Sequence, residues 1–213
     1  MLASTVAESI GSGSGANGGA GGCLGRGGGG DPNYPTPQRV YITGMLLALG
    51  GILMFFSAFV SAWVVRRGLP NTDWQPISLP RILWLNTLLL AASGVTLGYS
   101  RRCLQTGREA DHRHWLSLTT ILGIGFLSGQ LLAWRQMLAA GLFLATSPGV
   151  SFFYVLTGAH ALHVLGGIVA LLALTLRPPR RLTPDTAIDV VALYWHFLAA
   201  LWLLILVVLL VGG

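Results

Sequence analysis

Two histidines, His160 and His163, stand three residues apart in the stretch FFYVLTGAHALHVLGG (152–167), and a third, His196, follows in ALYWHFLAALWLLILVVLL (192–210). All three lie in long apolar runs, where an ionisable side chain is a functional candidate by default. Imidazole can do three things there. It can ligate a haem, but a bis-histidine haem takes its ligands from opposite faces of the porphyrin, and His160 and His163 share one helix. Only His163 with His196 meets that need; at a rise of ~1.5 Å per residue the two fall within ~5 Å of the same depth. It can relay protons, a task that ordinarily joins histidines to carboxylates. The apolar runs hold no Asp or Glu, and Asp189 only borders the last of them. Or it can stay neutral and hydrogen-bond between helices or to lipid headgroups, at about 0.6–2 kcal/mol per bond. The sequence favours this third role.

The elements that position these groups follow from charge. Of 213 residues, 53% are hydrophobic and 9% charged, against about 25% charged in a soluble domain. No charge interrupts residues 40–65, 82–100, 114–134, 150–176 or 190–213. A membrane-crossing helix needs about 20 such residues, and in hydrocarbon each span must satisfy its own backbone. The spacing predicts an all-α membrane bundle of five transmembrane helices, at about 40–65, 82–100, 114–134, 150–176 and 190–211. The uncharged run from Gln136 to Leu176 is broken by TSPG at 146–149. Either the third helix passes Arg135, whose side chain then reaches the interface, or residues 136–149 lie along the membrane surface. Residues 1–38 form a Gly/Ser-rich tail that cannot bury enough apolar surface to order itself, so two segments are expected: a disordered tail, 1–38, and a transmembrane domain, 39–213.

All thirteen basic residues are arginine. Nine lie in the tail, the 2–3 loop and the 4–5 loop, and four on the other side, which places the N-terminus in the cytoplasm and the C-terminus outside. The basic residues read as orientation signals and not as a nucleic-acid surface. Cys23 and Cys103 form no CxxC or CxxCH, so neither a disulfide framework, a zinc site nor covalent haem is supported. No GxSxG, HExxH or phosphate-binding glycine loop occurs.

Helical spacing gathers small or polar residues. Gly44, Ala48, Gly51, Phe55, Ala58 and Ala62 form a mostly small stripe on helix 1, a device for close helix approach. Helix 2 aligns Asn86 with Ser93; helix 3 aligns Thr119, Gly123 and Gln130. Helix 4 sets Thr157, His160, His163, Gly167 and Ala170 opposite Val155, Leu162, Leu165, Val169 and Leu172. Helix 5 aligns Asp189, Ala192, His196 and Ala200. Polar groups should therefore turn inward or toward a partner, and the tryptophans (Trp63, Trp74, Trp84, Trp115, Trp134, Trp195 and Trp202) read mostly as an interfacial belt.

These residues resemble a family. FFYVLTGAHALHVLGG resembles the penultimate-helix signature of subunit III of haem–copper oxidases, and Tyr194, Trp195, His196 and Phe197 the tetrad of its last helix. LPRILWLNTLLLAASGVTL (79–97) and HWLSLTTILGIGFLSGQLLAW (114–134) resemble two further helices in order. The resemblance implies a short five-helix bacterial form in the inner membrane. It implies a non-catalytic subunit of cytochrome c oxidase that packs on subunit I, with subunit II in the complex, binds phospholipid, and supports proton uptake and turnover stability. The haem and copper of the complex would sit in the partner subunits, with no cofactor, metal or catalytic residue on this chain. The candidate lipid-contact, interface or polar-core residues are Asn86, Gln130, His160, His163, Asp189, Tyr194, Trp195 and His196. Three positions depart from the family pattern: Ile52, Ala133 and Ala199 stand where carboxylates are usual, so a carboxylate proton antenna is not expected. A quinol oxidase subunit III and the accessory protein of a nitric-oxide reductase share the fold and stay open. A free-standing membrane cytochrome or a transporter is the alternative of another class, although no internal repeat or broken helix of a transporter is present.

Overall fold

The structure, a computed structural model, describes residues 38–68, 80–144, 147–176 and 183–212. The tail expectation, Cys23 and Trp74 lie outside these residues. Five helices follow one another: α1 (Gln38–Gly68), α2 (Ile82–Gln105), α3 (Glu109–Ala139), α4 (Pro148–Leu176) and α5 (Pro184–Gly212). All five are long and apolar enough to cross a membrane. Each helix extends beyond the charge-free run that signals it, because the polar and arginine-bearing turns at its ends belong to the interface and not to the loops. The third helix does pass Arg135 and stops at Ala139, where Gly141 takes a positive φ of 76° that a side chain would resist. Gly107, with φ 74°, closes the short α2–α3 turn in the same way.

Two helices start by one device. Before α4, the Ser147 hydroxyl accepts from the Val150 N–H at 3.4 Å and Pro148 follows; before α5, Thr183 accepts from the Thr186 N–H at 3.4 Å and Pro184 follows. A hydroxyl cap followed by proline satisfies an orphan N–H and presets the first helical φ.

Helices α2, α3, α4 and α5 form a closed ring in which each packs on two neighbours, and α1 lies outside it against α4 and α5. The core runs through the ring: Leu90, Leu97, Phe126, Phe153, Leu156, Val164, Leu171, Trp195, Trp202 and Ile205 are buried. The opposite side of α4, carrying Leu162, Leu165 and Val169, is exposed, as its apolar spacing requires. The small-residue stripe of α1 turns mostly away from the ring: Gly44, Ala48, Gly51, Phe55, Ala58 and Ala62 are all exposed, although the Phe55 ring lies 6.5 Å from that of His163. α1 instead buries Leu49, Phe56 and Trp63, whose larger side chains offer more contact to α4 and α5. Trp195 and Trp202 are not belt residues but lie fully inside the ring.

Candidate functional site

Trp195 explains how the ring closes. Its indole lies in a slot floored by two glycines. A Cβ on Gly123 of α3 would approach the ring to 2.8 Å, and one on Gly167 of α4 to 3.0 Å. The indole N–H donates to the Ser93 hydroxyl of α2 at 3.0 Å. One side chain from α5 thus touches the other three helices of the ring. The same chemistry recurs: Trp202 donates to the Thr87 hydroxyl of α2 at 3.0 Å, and Trp134 of α3 to the Thr157 hydroxyl of α4 at 3.1 Å. Each hydroxyl passes its own proton back to a carbonyl of its helix, Thr87 to Leu83 at 2.9 Å, Ser93 to Leu90 at 2.7 Å and Thr157 to Phe153 at 2.6 Å. Thr96 and Thr119 join α2 to α3 at 2.8 Å. Where lipid offers no partner, tryptophan supplies large contact area with one donor, and a hydroxyl one turn from its own carbonyl accepts it without exposing backbone.

The histidines have separate fates. His160 is fully buried in α4; its ring centroid lies 5.7 Å from Phe126 and 5.3 Å from Trp202. His163 is half-buried and turned toward α1, 5.7 Å from the Phe56 ring, with Nδ1 2.7 Å from the Ala159 carbonyl. His196 is exposed and lies along Gly94 of α2. His163 and His196 therefore face different helices and do not oppose each other as haem ligands. Among the described residues, no three His, Cys, Asp or Glu gather in a way that could hold a metal ion.

Asn86 of α2 is fully buried against α3, and a Cβ on Gly129 would collide with its amide oxygen. Gln130, the residue after Gly129, is also buried. Tyr194 donates from its hydroxyl to the His163 carbonyl at 3.0 Å, tying α5 to α4. Asp189 sits in the second turn of α5 and pairs with Arg101, near the far end of α2, at 2.6 Å; the Arg101 side chain is 47% exposed. Of the eight candidates, the structure brings Asn86, Gln130 and His160 to the ring interior, sets Trp195 in its glycine slot, and leaves Asp189 and His196 at the periphery. The partners Thr87, Phe126 and Arg101 were not singled out from sequence. A threonine beside Asn86 was the available signal for the first, and none existed for Arg101. Of the positions that depart from the family pattern, Ala133 is buried, and Ile52 and Ala199 are partly so.

At the end of the bundle where the 2–3 and 4–5 loops lie, a cleft of ≈ 210 Å³ opens between helices, lined by Leu104, Glu109, His112, Arg113, Leu174 and Ile188. Its lining mixes charged with apolar side chains.

A family model described as cytochrome c oxidase subunit III matches residues 39–213. A probable cytochrome c oxidase subunit 3 of Nocardia farcinica is 31% identical over 188 residues, which is 82% of this chain and 93% of that protein. The cytochrome c oxidase subunit 3 of Corynebacterium diphtheriae is 31% identical, covering 82% of this chain and 93% of its own length. That of Thermostichus vulcanus is 28% identical, with coverage of 79% and 85%.

Proposed function

The chain belongs to the cytochrome c oxidase subunit III family, and from that premise we propose that it serves as the non-catalytic subunit III of a bacterial haem–copper terminal oxidase. It packs on the catalytic subunit I in a complex that includes subunit II, holds phospholipid, and supports proton uptake and turnover stability while the partners carry haem and copper. It lies in the inner membrane with its N-terminus cytoplasmic and its C-terminus outside, the orientation that the arginine bias favours. The observation that carries this reading is the family match across all five spans. The names of the relatives favour cytochrome c over quinol as the electron donor of the complex. The mixed cleft at the loop end supports the phospholipid role. The outward stripe of small residues on α1 supports packing, since it allows another transmembrane helix to approach closely.

The test is to tag the chain, extract it in mild detergent and record what co-elutes, with a reduced-minus-oxidised spectrum of the sample. Co-elution with a large haem- and copper-bearing subunit is expected. A chain that elutes alone overturns the assignment, and a haem band belonging to the lone chain overturns the reading of its histidines as well.

A further inference from the structure

His196 stands at the middle of its helix and on the outside of the ring. Helix α5 runs from Pro184 to Gly212, so the imidazole lies ~18 Å from its start and ~24 Å from its end at ~1.5 Å per residue. It lies over Gly94, near the midpoint of α2, where a Cβ would come to 3.5 Å from the ring atoms Cε1 and Nδ1. His196 is exposed, and its ring makes no hydrogen bond to any described residue. Two hydroxyls that also face outward bond to their own helices, Ser57 to the Met54 carbonyl at 2.8 Å and Ser128 to the Ile124 carbonyl at 3.0 Å. Half-buried His163 has the Ala159 carbonyl at 2.7 Å from Nδ1. His196 has no such arrangement.

Three pairs define the seam on which it sits: Arg101 with Asp189 toward the loop end, Gly94 with His196 at the middle, and Thr87 with Trp202 beyond. Ala91 of α2 and Ala200 of α5, both exposed, flank the imidazole with no more than a methyl group each. Helix α1 packs on α4 and α5 and, among the described residues, makes no contact with α2. It does not cover this seam.

We propose that the α2–α5 seam is where a transmembrane helix of another subunit docks, with His196 bonded to a hydroxyl, amide or carboxyl side chain of that helix. The inference rests on the reading of the chain as one subunit of an oxidase complex. A neutral imidazole offers one donor and one acceptor. Acyl chains satisfy neither, and a polar group left bare in hydrocarbon is costly. Histidine at this depth is too short to reach the interface as a long arginine stem does. A polar side chain on a neighbouring helix satisfies it, and the small Ala91 and Ala200 let that helix approach closely.

The test is a crosslink. Leu203, two turns from His196 on the same side of α5 and 52% exposed, is replaced by a photoreactive diazirine amino acid in the full-length chain, and the complex is irradiated after extraction in mild detergent. The expected product joins this chain to another subunit. His196→Leu should lower the fraction of the chain that co-elutes with the haem-bearing subunit by about three- to tenfold, the span of one interhelical polar bond. His196→Gln, which keeps a donor and an acceptor, should recover most of it. A Leu203 probe that labels lipid alone, in a chain that still co-elutes with the haem-bearing subunit, overturns the docking seam and leaves the subunit assignment standing. So does a His196→Leu chain retained as fully as the unaltered one. An unaltered chain that elutes alone overturns the assignment itself, and the seam with it. The crosslink is read with His196 intact, so it decides the matter whether or not the variants fold.

Discussion

The α2–α5 ring and the outlying helix α1 are built from the same kinds of residue and assembled by different means. In the ring, indole and hydroxyl groups bond across helices: Trp195 to Ser93, Trp202 to Thr87, Trp134 to Thr157 and Thr96 to Thr119. Gly123 and Gly167 lie beneath the Trp195 ring, and Gly129 beneath the Asn86 amide. α1 meets the ring through the bulk of Leu49, Phe56 and Trp63, and turns its glycines outward, where Gly44 and Gly51 have nothing within 4 Å. Apolar contact gives little reason for a helix to leave lipid, since lipid tails are as apolar as leucine. The bonds and close packing across α2–α5 therefore define one unit, against which α1 packs less extensively.

The sharpest way to break this contrast is Trp195→Ala, which empties the slot between Gly123 and Gly167 and strands the Ser93 hydroxyl. Truncating a buried tryptophan costs about 3–5 kcal/mol in water-soluble cores. Lipid accommodates part of the exposed surface, so the lower end is expected, read as a fall in the thermal midpoint of the detergent-extracted protein. Phe56→Ala on α1 should lower it less, although Phe56 is as deeply buried. An equal fall for both would remove the distinction between ring and outlier. Next in size is Gly129→Ala. The added methyl meets the Asn86 amide, and overpacking of this kind costs about 1–3 kcal/mol. Gly51→Ala on α1, which adds the same methyl to open space, should leave the midpoint in place.

This contrast was only half legible in the sequence. Five spans could be read from charge-free runs, and the inward faces of α2, α3 and α4 from the spacing of Asn86, Ser93, Gln130, Thr157 and His160. Both features are local and periodic. What failed was the identity of the partner. A small-residue stripe states that something approaches closely, not what, so the spacing on α1 leaves open whether the stripe meets the chain's own helices or, as the structure has it, faces outward. Trp195 reads as a belt residue in the sequence because the charge-free run begins at residue 190. The helix begins at Pro184, and its first turns, with Asp185 and Asp189, lie at the interface, which moves Trp195 three turns inward. Which inward residues meet across helices, such as Asn86 with Gly129 or Trp202 with Thr87, depends on the register of the helices, which no single-helix pattern encodes.

The Arg101–Asp189 pair sets a lower bound on what the ring draws from charge. It joins α2 to α5 across 88 residues of sequence, but Arg101 is about half exposed and salt screens such pairs. Arg101→Gln should cost about 0.2–1 kcal/mol, and the loss should shrink when the melt is repeated at high ionic strength. A loss that does not change with salt would mean that Arg101 acts through packing of its stem.

The smallest effect on stability and the largest on assembly are expected from one substitution, Gly51→Leu. Gly51 is exposed and a Cβ there has nothing within 4 Å among the described residues, so the thermal midpoint of the isolated protein should move by no more than about 0.5 kcal/mol equivalent. If the outward stripe is where a helix of another oxidase subunit approaches, the same leucine holds that helix away, and the chain should be lost from the haem-bearing complex during detergent extraction. Leu162→Phe, on the equally exposed but oily face of α4, is the matched control and should be retained. Retention of both variants would mean that the small stripe faces lipid. The partner would then rest on another face, and the glycines of α1 would record a low demand for bulk rather than a contact.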